Sequence, residues 1–386
     1  MRKLAIVLIL ISVSFSLSYA QKGKVTSASN YLTNNEIAKA WEIIQIAEKN
    51  PKTEAYHKTY YVKGQILQKI GESQDKNVKA LAENPFEQAY ENYKKAIELD
   101  EKGKIGKAID FQLPMLNNDF INQGVEQFQN KDFAGAVKSF EYALEIGKSE
   151  VFAGAVDTSI IYNAALAAYN GKDYDNAIKY FSMAKDYGYG GVSTYQLMER
   201  VYFSQGDSAS AEKLMREGIV AFPDNNELIL DVINYYIVTN QDDDAFEYVR
   251  LGKEKHPDDK LYWYVEGMLY DKNGQEEKAV ESYTKSIELD PEYYNPQYNM
   301  GVIIFNRGVK LVDEANKITD NVEYTKAKKL SDDEFAKAVP YFEKALEVAS
   351  TDQEKRESGE NLKVLYYRLK LMDKREEIVK MLDGLG

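Results

Sequence analysis

The sequence predicts an all-α fold of antiparallel helix hairpins stacked in series, each about 34 residues long. Three observations carry that prediction. Pro223, Pro257 and Pro291 are evenly spaced at that interval. Ala177, Ala211, Ala245 and Ala279 keep the same interval. The stretch from Lys260 to Pro291 then reads as one hairpin, with small residues at its crossing point and a Gly in its turn. A hairpin of this kind leaves one apolar face uncovered, so it has to stack on neighbours.

Within that stretch each residue type has a physical job. Gly267 on the first helix and Ala279 on the second let two helix axes approach. Tyr270 and Tyr283 fill the space beside them. Asn273-Gly274 forms the tight turn, because Gly tolerates positive φ cheaply. Pro291 ends the second helix, since proline lacks the N–H that a helix interior needs.

Taken in order, the chain begins with Arg2 and Lys3, a mostly apolar run from Leu4 to Leu17, and Ser18-Tyr19-Ala20. That layout predicts a secretory signal peptide over residues 1–20, cleaved after Ala20. The run is shorter than the ~20 apolar residues of a membrane span. No other segment of the sequence is apolar enough to span, and no cysteine follows to carry a lipid. The remaining 21–386 is expected to form a single array of about eight repeats.

Residues 25–51 read as a degenerate first unit. Ala40, Ile44 and Ala47 lie on its second helix, and its first helix is expected to be short or frayed. Tyr56–Ile70 and Pro85–Leu99 pair next, across a polar, exposed turn about thirteen residues too long for the repeat interval. Lys102–Leu113 is a linker with room for one helical turn, and Asn117–Lys148 forms the following unit. Thr158, Val192, Asn226, Lys260 and Tyr294 then open five units in strict phase. The glycines of Tyr187–Gly191 mark a loose turn between units.

The last of these five breaks phase. The repeat interval would put its second-helix signature at 313, 317 and 320, but Ala338, Phe342 and Ala345 carry it instead. The reading is an extended hairpin over 306–336, closed by a short loop at Thr319-Asp320-Asn321. Val309, Leu311, Val312, Ala315 and Ile318 are expected to face Ala327 and Leu330 across it. Pro340 should kink the second arm or start a new helix. A poorer final pair, 356–386, carries Leu362, Tyr366 and Tyr367, with a charged outer face (Lys374, Arg375, Glu376, Glu377) that suits a cap.

Trp263, Gly267, Tyr270, Ala279, Tyr283 and Pro291 together resemble the tetratricopeptide repeat (TPR) family, and the likeness extends over roughly Val25 to Leu382. The leader, the long turn and the extended late unit resemble exported members from Gram-negative bacteria. The resemblance implies a right-handed superhelical solenoid that holds a protein or peptide partner in a concave groove. It implies groove residues at fixed positions of each first helix. The fifth position gives Ile121, Tyr162, Gln196, Leu230, Tyr264 and Tyr298. The ninth gives Val125, Leu166, Arg200, Asn234, Met268 and Val302. The twelfth gives Phe128, Tyr169, Phe203, Ile237, Asp271 and Phe305. Tyr162, Tyr169, Arg200, Phe203, Asn234, Tyr264, Met268, Tyr298 and Phe305 are the expected partner-binding set. Arg200 and Asn234 alone do not reproduce the carboxylate clamp of cytosolic co-chaperone members.

Composition narrows the function classes. There is no cysteine, so disulfides, zinc–thiolate sites and thiol nucleophiles are excluded. Removing residues 1–20, with Arg2 and Lys3, takes the formal charge from −13 to −15. An acidic surface disfavours nucleic acid and anionic lipid. Two histidines stand far apart in sequence, His57 at a helix start and His256 in a solvated turn. No HExxH, nucleophile-elbow, Walker A or EF-hand motif occurs. Asp332-Asp333-Glu334 fits a helix N-terminus, where acidic groups favour the dipole, and Gln241–Asp244 fits a turn. The expected function is a non-catalytic scaffold in the periplasm, without cofactor or metal. It would bind a protein through the aromatic groove or through the extended hairpin, with peripheral envelope association. The 30 tyrosines exceed what packing requires and favour an exposed aromatic groove; a binder of small molecules or glycans on aromatic platforms is the alternative.

Overall fold

The computed structural model describes residues 22–385, so the predicted signal peptide lies outside the described residues. Every regular element among them is helical. Residues 22–33 form α1. There follow α2 (Ile37–Glu48), α3 (His57–Glu72), α4 (Lys76–Lys79), α5 (Pro85–Glu98), α6 (Gly106–Asp110), α7 (Leu113–Gln129) and α8 (Phe133–Gly147). The phased region holds α9 (Thr158–Asn170), α10 (Tyr174–Asp186), α11 (Val192–Gln205), α12 (Ser208–Ala221), α13 (Asn226–Val238) and α14 (Asp242–Lys255). It continues with α15 (Lys260–Lys272), α16 (Glu276–Leu289), α17 (Tyr294–Ala315) and α18 (Asn321–Val348), and ends in α19 (Asp352–Arg368) and α20 (Met372–Gly384). The described residues divide into two compact units, with the boundary between Ala211 and Glu212.

In the first unit, hairpins α3/α5, α7/α8 and α9/α10 pack helix against helix. In the first two, a glycine on the first helix receives a ring from the second. A Cβ at Gly64 would lie 2.5 Å from the Tyr93 ring, and one at Gly124 would lie 2.7 Å from Phe140. Ala40, Ile44 and Ala47 of α2 are fully buried. The helix before them is regular over 22–33 rather than short, because Val25 and Ala28 have buried places on α2 and α3. The long turn is exposed at its tip but not throughout. Val78, Leu81 and Ala82, at helical spacing around α4, pack against the same cluster. Helix α7 begins four residues before the expected unit, since Leu113 and Leu116 are buried and Pro114 is tolerated in a first turn. Gly188, Gly190 and Gly191 all adopt positive φ, as the turn after α10 requires.

In the second unit, α13, α15 and α17 start at Asn226, Lys260 and Tyr294, where the repeat phase places them. Asn225 and Asp259 cap two of these starts by accepting from Leu228 N and Leu261 N. Ala245 and Ala279 are fully buried, and a Cβ at Gly267 would lie 2.6 Å from the Tyr283 ring. The late hairpin is two long helices, α17 and α18, joined by residues 316–320. Pro340 starts no new helix, because α18 runs through it as one element. Ala315 is buried in the extension and Leu311, Val312 and Ile318 are half-buried, but Val309 and Leu330 face solvent. The inner side of α18 is taken instead by Ser331 and Phe335.

Three further expectations change in this unit. Asp332-Asp333-Glu334 lies in the middle of α18, where Asp332 accepts from Arg368 at 3.2 Å and Glu334 pairs with Lys337 at 2.6 Å. Gln241 stands at the N-cap position of α14 without a side-chain capping bond, and the three aspartates after it form the acidic first turn of the helix rather than a turn between helices. Tyr367 points outward at 65% exposure beneath Arg375, while Leu362 and Tyr366 are buried.

Candidate functional site

The expected partner-binding residues fall into two sets, one in each unit. In the first unit Tyr162 and Tyr169 stand on α9, and Arg200 and Phe203 on α11. Tyr162 is half-buried between Phe181 and Tyr189, at ring separations of 5.7 and 5.4 Å. Burial pushes its hydroxyl pKa up, with Tyr189 adding to the shift. Tyr169 is half-buried, and Arg200 and Phe203 are exposed.

The second unit holds Asn234 on α13, Tyr264 and Met268 on α15, and Tyr298 and Phe305 on α17. Tyr264, Met268 and Asp271 recur at intervals of four and three, which places them on one stripe of α15. Tyr298, Val302 and Phe305 repeat that stripe on α17. Asn234 and Asp271 are not buried, and the aromatic members are half-buried.

These rings are braced from behind. Tyr264 meets Tyr293 edge-on at 5.3 Å and leans on Tyr283 at 6.0 Å. Tyr298 stacks on Tyr294 at 5.7 Å and meets Phe342 edge-on at 5.5 Å. Phe305 meets Phe335 edge-on at 5.2 Å. Each pair of this kind adds about 0.5–1.5 kcal/mol beyond area burial, so the rings are held in fixed orientations.

Asparagines that no repeat position singles out fix the hydroxyl ends. Asn299 Nδ2 donates to Tyr283 Oη at 3.0 Å, Asn295 to Tyr293 at 3.3 Å, and Asn361 to Tyr298 at 3.3 Å. Burial raises the pKa of Tyr264, Tyr283, Tyr293 and Tyr298, and the asparagine bonds oppose the rise in each. The available signal was Asn295 and Asn299, four apart in the first turns of α17, which puts two amides on one stripe.

The cations around this face have partners. Lys253 pairs with Glu266 at 2.5 Å and Lys272 with Asp242 at 2.8 Å. Lys260 pairs with Asp290, and Arg307 and Lys310 share Glu276. Asp271 takes no side-chain hydrogen bond and no ion pair among the described residues. Burial and the neighbouring Glu276 lift its carboxyl above the usual range.

The two histidines belong to different units. His57 opens α3 beside Tyr56. His256 is not a solvated turn residue: it stacks on Tyr262, and its Nε2 is buried without a partner. Among the described residues no group of three or more His, Cys, Asp or Glu is arranged to hold a metal. No described helix is long and apolar enough to cross a membrane.

The tetratricopeptide repeat profile matches residues 262–293. Photosystem I assembly protein Ycf3 of Acaryochloris marina is 32% identical over 118 residues, covering 23% of this chain and 71% of that protein. The TPR repeat-containing protein MJ0941 of Methanocaldococcus jannaschii is 42% identical over 50 residues, 13% of this chain and 15% of its own length. A solved structure, the C-terminal part of a TPR repeat-containing protein from Cytophaga hutchinsonii, is 18% identical. It aligns over 69% of this chain and 95% of that one, with a TM-score of 0.48.

Proposed function

This chain belongs to the tetratricopeptide repeat family, and from that premise we propose that it is an exported, non-catalytic adaptor of the cell envelope. The repeat fold is a scaffold for protein–protein interaction. The finer reading is that residues 1–20 direct export, with cleavage after Ala20, and that the aromatic stripes hold a protein partner. One observation carries the binding surface: half-buried Tyr264, Tyr298 and Phe305, braced by rings behind them and, for Tyr298, by an asparagine at its hydroxyl. Braced aromatics offer contact area at low entropic cost.

The test is crosslinked affinity capture by residues 21–386 in the native envelope fraction, repeated with a Tyr264→Ala/Phe305→Ala variant that keeps its helical circular dichroism. The expected result is one or two stoichiometric proteins, lost in the variant. Capture that is unchanged in the variant would remove the stripes from the binding surface and turn attention to the extended hairpin, residues 306–336. Amino-terminal sequencing of the exported protein should begin at Gln21; retention of residues 1–20 in the cytoplasm would end the export reading.

A further inference from the structure

The acidic charge of this protein is not spread evenly. Residues 212–386 hold 37 of the 62 acidic side chains and 25 of the 49 basic ones, a formal charge of −12, against −1 for residues 1–211. The half-buried aromatic stripes of α15 and α17 lie within the strongly acidic unit. Lysines and arginines nearby are engaged by Asp242, Glu266, Glu276 and Asp290, so they are not poised to meet an anionic ligand. Asp271 shares the α15 stripe with Tyr264 and Met268 and has no cation beside it.

These features fit one kind of occupant. An ammonium or guanidinium group over a tyrosine or phenylalanine face is attracted by the ring quadrupole. The aliphatic stems of Lys and Arg cover apolar surface while the charged tip reaches a carboxylate. The field of a strongly acidic unit steers cations toward it from a distance. An acidic segment would meet repulsion at every one of these points, and a neutral one would leave Asp271 without a partner.

We propose that the α15–α17 face docks an extended basic segment of a partner protein, with Lys or Arg set against Asp271 and apolar residues on Tyr264, Tyr298 and Phe305. The proposal names the partner chemistry of the adaptor reading above and rests on it.

The test is fluorescence anisotropy of residues 21–386 with three peptides of equal length, alternating Lys, Ser or Glu with Leu and Phe. The Lys peptide binds, and its affinity falls steeply between about 0.05 M and about 0.5 M salt as the Debye length shrinks. Asp271→Asn weakens it about threefold, the scale of a solvent-accessible ion pair. The melting temperature of that variant does not fall below the wild-type value, because Asp271 has no partner to lose. Binding of the Ser or Glu peptide as tightly as the Lys peptide overturns the charge assignment but leaves the adaptor reading intact. So does Lys-peptide binding that Asp271→Asn does not weaken. Binding of none of the three overturns the proposal, and the adaptor reading is then decided separately by envelope capture.

Discussion

The hairpins α15/α16 and α17/α18 are neighbours in the chain, yet one keeps the repeat period and the other overruns it, with its small crossing residue at Ala338 instead of position 313. Both use the same crossing. In α15/α16 the Tyr283 ring lies on Gly267, and in α17/α18 the Phe342 ring lies on Gly301. The longer hairpin adds a second crossing, with the Phe335 ring on Gly308. Gly308 is seven positions after Gly301, and Phe335 is seven before Phe342. Two antiparallel helices that each advance by seven positions reach a point about two turns, or ~10.5 Å, further along. The extension is thus the ordinary glycine–ring socket repeated two turns outward. The insertion lengthens a hairpin without a new packing rule, and Ala315 closes it near the loop.

The two sockets of α17/α18 should differ in how far damage spreads. Phe342→Ala removes a fully buried ring at the inner crossing and is expected to cost about 3–5 kcal/mol. Its core also includes Tyr283, Leu362 and Tyr366, so neighbouring hairpins should lose stability with it. Phe335→Ala opens a comparable cavity at the outer crossing, and its loss should fall mainly on the extension and on Phe305 and Arg368, whose side chains lie against the ring, with less reaching α15/α16. Hydrogen exchange reads both variants. Equal loss of protection in α15/α16 from the two substitutions would contradict two separable sockets.

A socket in the first unit extends the contrast to pH. Tyr93 on Gly64 resembles Tyr283 on Gly267, but its hydroxyl bonds differently. Tyr283 accepts from the neutral Asn299, whereas Tyr93 donates to Gln68 at 3.0 Å, and Gln68 donates onward to Asp119 at 2.7 Å. Burial raises Asp119 from 3.8 to about 6; Glu72 adds to the rise, while Gln68 and Lys69 oppose it. A raised folded-state value means the stabilising contribution is complete below 3.8 and is lost as pH rises through about 6. Thermal melts of wild type against Asp119→Asn should show the wild type losing ground across that window. A constant difference would remove Asp119 from the titration.

The smallest effect is expected where the extension meets solvent. Leu330 is 60% exposed, so Leu330→Lys should change stability by no more than about 0.5 kcal/mol. A larger loss by chemical denaturation would mean that Leu330 packs inward and that the stripe of α18 is rotated.

The repeat is written in residue spacing alone. One interval, shared by proline and alanine, located helix starts at Thr158, Val192, Asn226, Lys260 and Tyr294, because a break and a small-residue crossing recur wherever a hairpin recurs. It also located the extension, since a signature displaced from 313 to Ala338 leaves only added helix between. Packing between helices selects which residues of a legible stripe turn inward. Leu330 and Tyr367 look like core residues in sequence and are exposed, while Val78 and Leu81 sit in a polar turn and dock. Helical periodicity fixes relative angles around one axis, but the neighbouring helix sets which of those angles is buried. The candidate face divides the same way. Its aromatics were legible by register, whereas the asparagine braces and the unpaired Asp271 depend on contacts between helices that spacing does not encode.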